Sequence, residues 1–116
     1  MDLKGIRDKL RDFAAERNWD QFHSPKNLSM ALAAEAAELL EIFQWLTEEQ
    51  SRNIAASEKD MALVKEEIAD VFIYLVRLAD KLNVDIEDAV LEKIKTNEKK
   101  YPVKLSKDSA AKYNRR

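Results

Sequence analysis

One glycine and two prolines in 116 residues leave this chain almost nothing from which to build tight turns. Hairpins depend on such residues, so an all-β or doubly wound fold is disfavoured and long helices remain. Apolar residues make up 46% of the chain, enough for one core but, at this length, not for two independent ones. Charged residues, 36% of the total, interrupt every long hydrophobic run, so no segment is apolar enough to span a bilayer. Met1-Asp2-Leu3-Lys4-Gly5 lacks the apolar stretch of a signal peptide, and a cytoplasmic protein is expected. The absence of cysteine excludes disulfides and thiolate chemistry, and a single histidine cannot build a His-rich metal site. Twenty basic against 22 acidic residues, a net charge of −2, argue against a nucleic-acid polymer as partner.

Apolar residues recur at helical spacing. Leu3, Ile6, Leu10 and Phe13 mark a first helix from about Leu3 to Asn18, followed by an aromatic and polar loop from Trp19 to Asn27. Within it, Ser24-Pro25 is a start signal for a second helix, Pro25 to Leu46, because a serine hydroxyl caps well and proline has no N–H to leave unpaired in the first turn. Thr47 to Asp60 holds two capping patterns, Thr47-x-x-Gln50 and Ser57-x-x-Asp60, and leads into a third helix ending near Asn83. Asp85, with Glu87 and Asp88, caps a fourth that ends around Tyr101-Pro102. The expected architecture is an all-α domain of four helices over residues 1–102 with a polar tail, 103–116.

Carboxylates fall where a core should be. On the second helix Leu28, Ala31, Leu32, Leu39, Ile42 and Leu46 share one face, with Glu35 in its middle and Glu38 about 60° further round. A carboxylate in an apolar stripe costs several kcal/mol unless it is paired, protonated or bound to metal. On the third helix Met61, Val64, Ile68, Val71, Phe72, Leu75, Leu78, Ala79 and Leu82 form the expected buried arc, with Glu67 at its edge and Asp70 and Tyr74 on the same flank. Ile73 and Val76 lie outside that arc and predict a second apolar surface for subunit contact. Glu35/Glu38 and Glu67/Asp70 are pairs three residues apart, which places each pair on one surface. Four such acids brought together repel one another, and a divalent cation relieves that; all-oxygen ligation selects Mg²⁺, or Mn²⁺. Against this stands the bland reading, that so charged a helical chain holds E-x-x-E by chance.

Lys93 and Asn97 fall inside the apolar face of the fourth helix. The lysine can snorkel out, pair with the acids, or bind phosphate, with Asn97 donating to phosphate or sugar oxygen. Trp19, Asp20, Gln21, Phe22 and His23 form either a hydrophobic plug over a bundle end or a wall on which a nucleobase stacks, to which Trp45 and Tyr74 would add.

Glu35-Ala36-Ala37-Glu38, a spacer of 28 residues, and Glu67-Ile68-Ala69-Asp70 resemble the motif of the MazG-like, all-α nucleoside triphosphate pyrophosphatases. The surrounding text, Phe13 to His23, Glu41-Ile42-Phe43-Gln44-Trp45, Asp70 to Leu75 and Lys112-Tyr113, is similar to the dCTP pyrophosphatase branch of that family. The resemblance implies a four-helix bundle that cleaves a nucleotide between its α- and β-phosphates, with Glu35, Glu38, Glu67 and Asp70 holding Mg²⁺. It implies a base and sugar pocket formed by Trp19 to His23, Trp45 and Tyr74, phosphate and sugar contacts from Lys93, Asn97 and Tyr101, and a homo-oligomer, usually a tetramer of paired dimers. Leu10 stands where animal members carry a histidine near the substrate, a difference that bears on base preference. In such a site a carboxylate not fully committed to metal activates the attacking water; Glu38, at the cleft edge, is the first choice and Glu35 the second. Two rival readings differ in kind. A di-iron bundle needs E-x-x-H on two helices, which this chain lacks; a non-enzymatic helical adaptor would pair its acids with lysines and dock a partner.

Overall fold

Asparagine takes the place of the missing glycines. In the computed structural model, which describes residues 1–115, helix α1 spans Leu3–Glu16 and ends where Asn18 adopts a left-handed backbone, φ 54°. The Trp19 amide donates to the Ala14 carbonyl at 2.8 Å and the Asn18 amide to the Ala15 carbonyl at 3.1 Å, the paired bonds of a Schellman cap. This cap stops the helix two residues before the expected Asn18. Asn18→Ala, which keeps a Cβ on a left-handed backbone but loses the short polar side chain that makes asparagine tolerant of it, is expected to destabilise the protein by about 1 kcal/mol, read as a lower urea midpoint at unchanged slope, whereas Asn18→Gly is not.

A 3₁₀ turn, Asp20–Phe22, lies within the expected loop. Helix α2, Pro25–Phe43, begins as read, with the Ser24 hydroxyl accepting from the Asn27 amide at 3.1 Å and Pro25 in the first turn. It stops short of Leu46 because Thr47 is already the extended N-cap of α3, Glu48–Arg52. There Thr47 Oγ1 accepts from the Gln50 amide at 3.1 Å, while the Gln50 side chain accepts from the Thr47 amide at 2.9 Å. After a second 3₁₀ turn, Ile54–Ala56, Ser57 caps α4, Glu58–Lys81. Asn83, again at φ 54°, follows its end. Asp85 caps α5, Ile86–Lys100, and a short α6, Val103–Ser106, forms in the segment read as a tail. Among the described residues no strand occurs and no helix is long and apolar enough to cross a membrane.

The chain divides into two compact units, Met1–Asn83 and Val84–Arg116. In the first, α4 is the central element, with α2 and α1 packed on it. Its core is Ala14, Leu28, Val64, Val76 and Ala79, and the two alanines let the helices approach closely. In the second, the Tyr101 and Tyr113 rings meet edge-on at 6.0 Å and Lys100 Nζ lies 4.8 Å from the Tyr113 ring centre. The α2 face is close to that read from sequence: Leu28 is buried and Ala31, Leu32, Glu35, Leu39 and Ile42 are at least partly covered, while Leu46, beyond the helix end, is exposed. The α4 face is rotated from the expected arc. Val76, assigned to an outer surface, is buried, whereas Ile68, Leu75 and Leu82 are 53%, 38% and 53% exposed. Apolar residues surround most of this helix, so periodicity alone did not identify the side that meets α2.

Candidate active site

Glu35 reaches the middle of the α2–α4 contact because it sits in the apolar stripe of α2, and Glu67 meets it from α4. Glu38, one turn after Glu35, completes a group in which one carboxylate oxygen from each residue lies within 4.8 Å of the others. Glu35 and Glu67 are half-buried and Glu38 is exposed, the order expected from their angular positions. Glu35 Oε2 and Glu67 Oε2 are fully covered and, with both groups ionised, have no donor. Burial pushes the Glu35 carboxyl up to about 7, helped by hydrogen bonding with Glu67 and Glu38 and by the charges of Glu38 and Asp70. Glu67 is raised too: its hydrogen bond with Glu35 works the other way, but burial and the neighbouring Glu38 and Asp70 outweigh it. Asp70, one turn along α4, stands outside the tight group yet close enough for its charge to act on both. Orphaned, covered carboxylate oxygens from two helices are what a hard divalent cation satisfies, so the residues present fit Mg²⁺ or Mn²⁺. No lysine or arginine is paired with any of these three acids among the ion pairs of the described residues.

The Trp19–His23 segment is held by a network the sequence reading did not anticipate. Arg77, on α4, is the only buried charged residue among those described, with its side chain 4% exposed. Its Nη2 donates to Asp20 Oδ1 at 2.7 Å, and its Nε and Nη2 lie 3.2 and 3.1 Å from His23 Nδ1. Lys81 Nζ also donates to Asp20 Oδ1, at 3.0 Å. Asp80 takes both nitrogens of a fork from Arg11, at 2.7 and 2.5 Å, while Arg77 Nη1 stays 3.7 Å away. Hydrogen bonding to Lys81 and then Arg77 lowers the Asp20 carboxyl, and Arg11 lowers that of Asp80. His23 is lowered by burial and then by the Arg77 charge, which keeps its ring neutral and able to accept. A sequence signal existed: Arg77 is the one charged residue in the apolar run from Val71 to Ala79, and a buried cation requires partners. A cleft of about 400 Å³ opens beside this network, lined by Arg11, Asp12, Ala15, Asp20, Arg77, Asp80 and Lys81 and by none of the glutamates above.

Trp19 stands edge-on to Phe13 at 5.6 Å and to His23 at 6.4 Å, and Gln21 donates from its side chain to the Asn18 carbonyl. Phe22 and Trp45 are 58% and 87% exposed, and Tyr74 is half-buried on α4. Lys93 and Asn97 are exposed, four residues apart and so on one face of α5, with Tyr101 at its C-cap; all three belong to the second unit.

The sequence model of the MazG-like family matches residues 30–115. Over 111 residues, 96% of this chain, it is 49% identical to dCTP pyrophosphatase 1 of Bos taurus and 45% identical to that of Homo sapiens. It spans 66% and 65% of the length of those relatives. The fold is similar to that of a pyrophosphatase from Archaeoglobus fulgidus, with a TM-score of 0.81 at 41% identity, covering 88% of this chain and 94% of that one. A carboxylate cluster shared between two packed helices and a match over most of the chain lead to one assignment: the protein belongs to the MazG-like family.

Proposed function

We propose that this protein is a Mg²⁺-dependent nucleoside triphosphate pyrophosphohydrolase acting on dCTP or a modified dCTP, with water and the nucleotide giving the monophosphate and pyrophosphate. The observation that carries this reading is the pair of donorless, covered oxygens on Glu35 and Glu67 beside exposed Glu38. Glu35, Glu38, Glu67 and Asp70 would hold the metal, which when bound neutralises phosphate oxygens and the charge gathering on the leaving pyrophosphate. Glu38, open to solvent, orients the attacking water and accepts its proton. Glu35, whose carboxyl is poised near 7, is the second candidate for that role. Trp19, Phe22, Trp45 and Tyr74 supply flat rings for the base, with Asp20, Gln21 and His23 shaping the loop beside it. Lys93, Asn97 and Tyr101 contribute phosphate and sugar contacts.

Self-association is part of the same proposal. Leu40, Leu63, Ile68 and Leu75 are each more than a third exposed, and an apolar surface of this kind is covered in a stable assembly; light scattering at the mass of a tetramer tests it.

A panel of deoxy- and ribonucleoside triphosphates, scored for monophosphate and pyrophosphate with and without Mg²⁺, tests the activity; no pyrophosphate from any of them overturns it. Trp45→Ala is expected to raise the KM about tenfold with kcat changed much less, because base stacking contributes about 1–3 kcal/mol. An unchanged KM would count against stacking on Trp45.

A further inference from the structure

We propose that Arg77 is a positioning residue: it locks the Trp19–His23 loop to the helix that carries Glu67 and Asp70, so that the wall for the base keeps a fixed position relative to the acids. This rests on the functional reading above and extends it to a residue that touches neither base nor metal.

The loop's own hydrogen bonds are local. The Phe22 amide donates to the Trp19 carbonyl, the His23 amide to the Asp20 carbonyl, and the Asn27 side chain to the Phe22 carbonyl. These bonds shape the loop without fixing it to α4. The polar ties that do so are those of Arg77 to Asp20 and His23 and of Lys81 to Asp20. Lys81 is partly exposed, a flexible point charge in water. Arg77 is covered and planar, and its fork engages two loop residues at once. A guanidinium kept only for a structural ion pair would satisfy Asp80, three residues away on the same helix. Asp80 is instead satisfied twice by Arg11, and the short bonds of Arg77 go to the loop. From there the contact is relayed: the His23 ring that accepts from Arg77 stands edge-on to Trp19. Releasing the loop makes substrate pay for ordering it, which raises the KM while leaving the acids that act on the phosphates in place.

The test uses the full chain carrying Trp45→Phe, so that Trp19 is the sole tryptophan. Arg77→Lys keeps a cation but not the fork, and Asp20→Asn removes one leg from the half-exposed loop side, where the fold is least at risk. Both are expected to raise the KM for dCTP about tenfold with kcat within about threefold, and to leave the Mg²⁺-induced rise in melting temperature intact. Acrylamide quenching of Trp19 should about double as the loop loosens. Unchanged quenching and KM in folded variants would overturn the proposal, and so would a fall in kcat as large as the rise in KM. Should Arg77→Lys not fold, Asp20→Asn decides by itself. If the parent chain hydrolyses no triphosphate, the functional reading fails, while the quenching comparison still decides whether Arg77 holds the loop.

Discussion

Glu38→Gln is expected to lower turnover about a thousandfold while leaving far-UV circular dichroism unchanged, the size of effect associated with losing a positioned general base. The substitution preserves shape and removes only the capacity to accept a proton and to carry negative charge. Glu38 is exposed at the edge of the α2–α4 contact, so its loss leaves no cavity and strands no buried partner. A drop in activity can then be attributed to chemistry or metal affinity, and these are separated by repeating the assay at saturating Mg²⁺: a metal ligand is partly rescued, a base is not. Full activity in the variant would remove Glu38 from the mechanism.

Glu35→Gln should behave in the opposite way towards stability. In the metal-free protein the Glu35 carboxyl is pushed to about 7 from an ordinary 4.5, by burial first and by Glu67 and Glu38 next. The proton is shared within the Glu35–Glu67 pair. The folded chain therefore binds a proton that the unfolded chain releases between pH 4.5 and 7, and stability falls as pH rises through that window. Removing the charge abolishes the loss, so metal-free Glu35→Gln is expected to melt higher than the parent at pH 8 and no higher at pH 4.5. Mg²⁺ held at the proposed site is expected to reverse the parent's penalty because it requires the ionised form. At a hundredfold excess over Kd it should raise the parent's melting temperature by roughly 10 °C at pH 8, less at pH 6, and hardly at all in the variant. An equal Mg²⁺ response in parent and variant would take Glu35 out of the metal site.

The anomaly that identified the cluster was readable even though Met30 and Leu40 give α2 apolar residues on its outer side too. With Leu28, Leu32, Leu39 and Ile42 fixing the inner face, Glu35 could only lie inside it and Glu38 at its rim. The caps were equally plain: Ser24, Thr47, Ser57 and Asp85 each bond the amide that local pattern assigns them. α4 defeated the same method because its apolar residues run around most of the cylinder, and Val76 and Ile68 exchanged sides relative to the reading. Arg77 was missed for a different reason. Its partners, Asp20 and His23, lie more than fifty residues earlier, and no local spacing connects a helical arginine to a loop that far back. The helix ends were misjudged by a few residues where Asn18 turned left-handed and where Thr47 claimed the next cap.

The three convergent glutamates also bear on how long a molecule lasts in a cell. Without a counter-ion the repulsion between them favours opening of the α2–α4 pair, and proteases act on the opened fraction in proportion to its population. Under the proposed function, ion supply would thereby govern abundance as well as turnover: chelation should shorten the half-life of the chain under limited proteolysis, and copies without an ion would be the first to be cleared.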